Sequence, residues 1–155
     1  MLLPATSYKN TLGNMKSKRQ AATLIPYKIQ GGKILIYFQK KAKDAPRWPD
    51  YFGFFGGGLE GKETPEEALR REIKEELDFA PEGYEFLGKY EFPNHINHMF
   101  ALQVGEDFEK QVTVFEGDYG IFFDEREALR EPMLIDEDKE VLRDFYKKIK
   151  TRNEK

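Results

Sequence analysis

Two short apolar runs, Ala21–Pro26 and Lys33–Gln39, flank a Gln30-Gly31-Gly32 turn signal and predict a β-hairpin. Residues 40–53, with Lys40, Lys41, Lys43, Arg47 and two prolines, are too polar for a core and read as a basic loop. Phe52 and Phe54 then alternate into a strand that enters a glycine turn, one ring facing the core and the other a ligand. At Leu69, Ile73 and Leu77 the apolar spacing changes to every fourth residue. This predicts a helix over 65–77, capped by Thr64, opened by Pro65 and blocked from extension by Pro81. Strand patterns return at about 84–92, 97–104, 112–116 and 119–123. A short helix follows over Asp124–Arg130. The last helix, at about 137–150, carries Val141, Phe145 and Ile149 on one stripe with Asp136 as its cap. The order implies one α/β domain, residues 21–150, with a mixed β-sheet between helices and an arm at 1–20.

The 155 residues suit one domain with one core. Absence of cysteine excludes disulfides, thiolate zinc sites, iron–sulfur clusters and cysteine nucleophiles. A net charge of −3 argues against indiscriminate nucleic-acid binding. No apolar run is long enough to span a membrane, and Pro4 interrupts any secretory signal, so a cytoplasmic location without membrane contact is expected. Residues 1–20 hold Lys9, Lys16, Lys18 and Arg19 and no acidic residue, as a solvated arm or a phosphate-binding one does.

The helix at 65–77 breaks a local rule. Glu66 and Glu67 sit in its first turn, where the helix dipole favours anions, but Glu75 and Glu76 sit in the last turn, where it disfavours them by about 0.3–1 kcal/mol each. Glu72, Glu75 and Glu76 project within one arc beside the buried stripe. Two carboxylates about 6 Å apart repel by roughly 3 kcal/mol at an effective dielectric of 20. A solvated acidic face is one reading; a site for Mg2+ or Mn2+ is the other, since such ions favour clustered carboxylate oxygens. Just upstream, Gly56, Gly57 and Gly58 form either a tight turn or a place where backbone approaches a diphosphate without obstruction by Cβ atoms.

These residues resemble the Nudix hydrolase family. Its signature of Gly, five residues, Glu, seven residues and Arg-Glu-apolar-any-Glu-Glu-any-Gly-apolar reads here as Gly57, Glu63, then Arg71-Glu72-Ile73-Lys74-Glu75-Glu76-Leu77-Asp78-Phe79. Only the second glycine departs, replaced by Asp78. Phe55 stands where proline is frequent, and Lys62 where glycine is, with Gly61 available for the turn one place earlier. The resemblance implies a Nudix-type α/β/α sandwich and metal-dependent hydrolysis of the diphosphate linkage of a nucleoside triphosphate, or of a nucleoside diphosphate joined to a further group X. It implies metal binding by Glu72, Glu75, Glu76 and the carbonyl of Gly56. Arg71 and Glu63 then form a pair that orients the catalytic helix. A further carboxylate from a later loop corresponds to Glu116, with Asp118 second.

Selectivity must come from outside this motif. Lys40, Arg47 and Trp48 of the basic loop, with Phe54, Gly57 and Gly58, are candidates for phosphate and base contacts. Asn94-His95-Ile96-Asn97-His98 holds both histidines, which three-residue spacing on a strand turns to opposite faces. They therefore do not form a two-histidine metal site, and Asn97 and His98 are taken as ligand contacts instead. The substrate expected is a small nucleotide. The RNA 5′ end is the alternative for the same chemistry, and a non-catalytic nucleotide sensor is the alternative from another class. Exposed aromatic residues would serve a homodimer.

Overall fold

In the computed structural model, which describes residues 18–153, alternate side chains of each strand go to opposite faces of one sheet. Strands β1 (Arg19–Gln30) and β2 (Lys33–Lys40) form the expected hairpin, with Gln30 opposite Lys33. After the basic loop come β3 (Phe52–Gly53) and β4 (Phe55–Gly58), then helix α1 (Pro65–Leu77). β5 (Glu85–Glu91) and β6 (His95–Gln103) form a second antiparallel pair. A short helix α2 (Phe108–Gln111), strand β7 (Tyr119–Asp124), helix α3 (Glu125–Arg130) and helix α4 (Asp136–Asn153) complete the chain.

The seven-stranded sheet runs β3-β2-β1-β6-β5, with β4 also paired to β1 and β7 to β2. The β1–β6 pair is parallel and the others are antiparallel, so the sheet is mixed as the sequence implied. Ile25, Tyr27, Ile36, Phe38 and Met99 meet Val141, Phe145 and Ile149 of α4 on one face. On the other, Ala22, Leu24, Tyr37 and Phe100 meet Leu69, Ile73 and Leu77 of α1. Helices thus cover both faces, which is an α/β/α sandwich.

Helix α1 occupies the predicted span. Thr64 Oγ1 accepts the Glu67 N–H at 3.1 Å, and the Glu67 carboxylate accepts the Thr64 N–H at 2.9 Å. At the other end Asp78 takes the left-handed conformation, φ 51°, and donates its N–H to the Lys74 carbonyl at 3.0 Å. Asp is one of the few non-glycine residues that visit this region routinely, so the missing glycine leaves the helix end intact.

The strand expected at 112–116 is absent. The alternating segment is extended, but its N–H groups meet a helix: Thr113 donates to the Leu77 carbonyl at 3.1 Å and Phe115 to the Glu76 carbonyl at 2.9 Å. These last-turn carbonyls lack intrahelical partners, so the segment straps the end of α1. The sheet also starts earlier than expected, at Arg19, which draws Arg19 and Gln20 out of the span read as an arm. The readings made for residues 1–17 lie outside the described residues. Asp136 is the first residue of α4 rather than a flanking cap. No described helix is long and apolar enough to cross a membrane.

Candidate active site

The site forms where α1 crosses β4. Gly56 pairs with Thr23 of β1 and has φ 143°, and a Cβ there would lie 2.1 Å from the Ala22 carbonyl oxygen. No other residue fits. The Gly56 N–H donates to Glu76 Oε1 at 2.6 Å. Glu76 is only 4% exposed, and burial pushes its carboxyl up to about 8. The Gly56 N–H and Gln39 oppose that rise, while Glu116 and Glu72 add to it. A Cβ on Gly57 would stand 2.5 Å from the Glu72 carboxyl carbon, so that carboxylate lies directly on the glycine backbone.

Arg71 collects the other acidic groups. It grips Glu63 with two hydrogen bonds at 2.8 and 2.9 Å, Glu72 at 2.8 Å and the Gly58 carbonyl at 3.0 Å. Glu75 stands 3.6 Å away and Glu60 3.7 Å. The Arg71 guanidinium, helped by the Glu60 backbone, pulls Glu63 down to about 2. Glu72 is raised above the usual carboxylate range, first by burial and then by Glu75 and Glu116, with Arg71 opposing. Through the strap on α1, Glu116 reaches the cluster and acts on both Glu72 and Glu76. Asp118 is held elsewhere by its N–H, which donates to the Lys40 carbonyl at 2.7 Å.

One arginine therefore faces Glu63, Glu72 and Glu75 while Glu76 and Glu116 add further acidity. An all-oxygen donor set with surplus negative charge fits a hard divalent cation. Among the described residues, however, no three carboxylates form a ready-made cation cage. Glu72 and Glu75 turn toward Arg71 and Glu76 toward the Gly56 N–H, so a cation would compete with these partners.

A cavity of about 190 Å³ opens beside Gly56 and Gly57 on the α4 side of the sheet. Arg47, Trp48, Phe54 and Asn97 line it as well. Thr23 Oγ1 donates to Asn97 Oδ1 at 2.7 Å, and both residues line the cavity. Trp48 is half exposed, lies 5.1 Å from the Tyr51 ring and holds φ 49°, a strained backbone for so bulky a residue. Phe54 is both core and cavity wall.

Three candidates stand elsewhere. Lys40 donates to the Asp50 carbonyl and lies over the Phe52 ring, 4.8 Å from its centroid, so it is not a cavity residue; Lys41 is. His98 is an even-numbered residue of β6, whose even positions face α1, and it bonds Gln20 at 2.8 Å. It is therefore across the sheet from the cavity, where His95 and Asn97 lie. Gly58 serves Arg71 through its carbonyl. Of the other lining residues Arg19, Thr23, Lys41 and Asp138, sequence reasoning named Arg19 only in the arm and Lys41 only in the basic loop, and passed over Thr23 and Asp138. The odd-position alternation of β1 marks the first two once the register is known, whereas Asp138 gives no local signal. Burial lifts the Asp138 carboxyl to about 7, with Glu137 adding and Lys41 opposing. Burial also lowers Lys41, against the pull of Asp138 and Glu76.

The NUDIX domain model matches residues 17–145. The chain is 39% identical over 70 residues to the 8-oxo-dGTP diphosphatase of Escherichia coli, covering 43% of this chain and 54% of that protein. It is 44% identical over 59 residues to the nucleoside triphosphatase NudI of an Enterobacter species, covering 38% and 40%. The chain thus spans about half the length of the curated relatives it matches. A MutT/nudix family protein from Listeria innocua superposes with a TM-score of 0.68 at 19% identity, over 86% of this chain and 95% of that one. The NUDIX domain of Shewanella oneidensis NrtR, solved with ADP ribose, gives 0.65 at 11% identity, over 93% and 99%. With the family model covering most of the chain and the carboxylate helix set against its glycine strand, the protein belongs to the Nudix family.

Proposed function

We propose that this protein is a pyrophosphohydrolase that cleaves the diphosphate linkage of a nucleoside triphosphate or a nucleoside diphosphate joined to a further group. The observation that carries the reading is the meeting of Glu72 and Glu76 with the Gly56-Gly57 backbone at the edge of a polar, aromatic-walled cavity. Nucleoside triphosphatase and 8-oxo-dGTP diphosphatase names among the relatives support the same reading. Glu72, Glu75, Glu76 and Glu116 would hold a divalent cation, magnesium or manganese, that neutralises diphosphate oxygens and acidifies the attacking water.

The residues divide the remaining work. Glu72, whose carboxylate lies on the Gly57 backbone at the cavity edge and is raised by burial, is the base that accepts the proton of the attacking water. The water oxygen bonds to phosphorus as the anhydride P–O bond breaks, giving two phosphate-ended products. Arg71, fixed by Glu63, orients Glu72. The cavity is smaller than the ~300–1,000 Å³ sites that enclose whole ligands, so it suits one ring system, with the phosphates leading out over Gly56-Gly57. Phe54 and Trp48 would hold that ring, and Asn97 and Asp138 would address its polar edge.

The test is product release from a panel in magnesium or manganese buffer, beside a Glu75→Gln/Glu76→Gln control. The panel holds canonical and oxidised nucleoside triphosphates, nucleotide sugars, ADP-ribose, dinucleoside polyphosphates and 5′-triphosphorylated RNA. A substrate cleaved by the wild type and spared by the control is expected. Cleavage of the RNA alone would move the substrate to an RNA 5′ end. Nucleotide binding without metal-dependent turnover would overturn the enzyme reading in favour of a sensor.

A further inference from the structure

A second groove adjoins the ring cavity and shares Arg47, Trp48, His95 and Ile135 with it. It lies between the basic loop, the start of β6 and the first turn of α4, where Tyr51, Asn94, Asp136 and Glu137 also line it. Its volume is about 700 Å³ against about 190 Å³ for the cavity, within the ~300–1,000 Å³ of sites that enclose a ligand. Ala21 of β1 stands beside Gly58 on one edge, and Arg19 beside His95 on the other. The groove thus opens two strand spacings, about 10 Å, from the glycine strand, which a ribose and a diphosphate can span.

The lining names the chemistry. Trp48 is half exposed, and its ring lies 5.1 Å from that of Tyr51, so the two form one aromatic surface. Trp48 at φ 49° and Asp50 at φ 67° both hold left-handed backbone, and the Tyr51 N–H fixes the turn by donating to the Trp48 carbonyl at 3.1 Å. Backbone strain of this kind recurs where a side chain is held ready for a ligand. Beside the rings stand two carboxylates, Asp136 and Glu137, the latter 3.8 Å from His95, against one arginine. That balance disfavours a further phosphate. It favours hydroxyl groups, which donate to carboxylate and amide oxygens while an aromatic surface covers the C–H face of a ring.

We propose that this groove holds a neutral, hydroxyl-bearing ring at the far end of the substrate, so that the group X is a sugar. Trp48 and Tyr51 pack on that ring, and Asn94, Asp136 and Glu137 accept from its hydroxyls. The proposal rests on the pyrophosphohydrolase reading for the place of the nucleoside ring and narrows its substrate to a sugar ester of a nucleoside diphosphate. The sugar is the terminal ring of a nucleotide sugar or the ribose of a second nucleoside.

Trp48 is the one tryptophan of the chain, so its fluorescence reports on the wall shared by the two spaces. The full chain is titrated in chelating buffer with ADP, ADP-ribose, ADP-glucose and diadenosine diphosphate, and with GDP against GDP-mannose and UDP against UDP-glucose. In at least one series the sugar ester should bind about tenfold tighter than the parent diphosphate. Glu137→Gln and Tyr51→Ala should each cut this advantage to within about threefold, with the parent's affinity kept within about twofold. A gain confined to diadenosine diphosphate would assign the sugar to a second nucleoside, and a gain shared by ADP-glucose to a nucleotide sugar. Equal affinities in every series would overturn the proposal. So would an advantage that survives in both variants, since it would then come from the lost charge of the terminal phosphate. Turnover of triphosphates with equal affinities would leave the hydrolase reading standing without the sugar, whereas a sugar-dependent gain without metal-dependent turnover would leave the groove and remove the hydrolase.

Discussion

Glu76 concentrates the electrostatic tension of the site in one residue. Burial raises its carboxyl from 4.5 to about 8, although the Gly56 N–H lies 2.6 Å away. A folded-state pKa above the unfolded one means a stabilising contribution that is complete below 4.5 and lost as pH rises through about 8. In chelating buffer the melting temperature should therefore fall between about pH 5 and pH 9, and Glu76→Gln should lack that part of the fall. The same variant should be the more stable protein at the alkaline end. A divalent cation should restore the wild type there, because it replaces the proton as partner of the carboxylate. A Glu76→Gln variant with the wild-type slope would show that the loss arises at another group. For turnover, Glu72→Gln should lower kcat by about 10²–10⁴-fold without unfolding the protein, as loss of a proton acceptor does. A fall in kcat that merely tracks a fall in melting temperature would count against that role.

At the scale of elements, α1 was legible because its information is local. Leu69, Ile73 and Leu77 set the buried face, and Thr64 with Glu67 closes the N-terminus by two reciprocal hydrogen bonds. Thr64→Ala should cost about 1 kcal/mol, or about 2–4 °C in melting temperature by calorimetry. Asp78→Gly should act in the opposite direction. It removes the Cβ from a left-handed residue at φ 51° and forfeits only the exposed ion pair with Lys74, which is worth about 0.3–0.5 kcal/mol. An unchanged or lower melting temperature would show that this pair, not the backbone, governs the helix end. The segment after α2 was misread for a reason equally physical. Its alternation is that of a strand, but residues 113 and 115 pair with the orphan carbonyls of α1, and apolar patterning does not reveal the partner of an extended backbone. Glu116 was reachable from sequence only through the family resemblance, since the strap that delivers it is a tertiary contact.

In the whole molecule the sheet is a partition, and the glycines of β4 are where it is thinnest. Glu72 and Glu76 arrive from the α1 face, and the cavity opens on the α4 face. They meet at Gly56 and Gly57, where no Cβ intervenes. The carboxylate half lies in the continuous stretch Gly57–Phe79 and could be read directly. The cavity half is assembled from alternate residues of β1 and β6, the basic loop and the first turns of α4. Its members become neighbours only through the parallel β1–β6 register that places Ala21 beside Asn97. This is why Thr23 and Asp138 escaped detection, why Lys40 was preferred to its neighbour Lys41, and why His98 was grouped with Asn97 although it lies across the sheet from the cavity. The division also separates two kinds of mutational effect. Asp138 lines the cavity, far in sequence from the carboxylates, so if the cavity holds the ring as proposed Asp138→Ala should raise KM about tenfold for the preferred nucleotide and leave kcat within about twofold. Loss of kcat at unchanged KM would place Asp138 with the reacting groups instead. If the change also narrows the preference between purine and pyrimidine nucleotides, the carboxyl reads the edge of the ring; a uniform rise in KM would assign it to holding Lys41 alone.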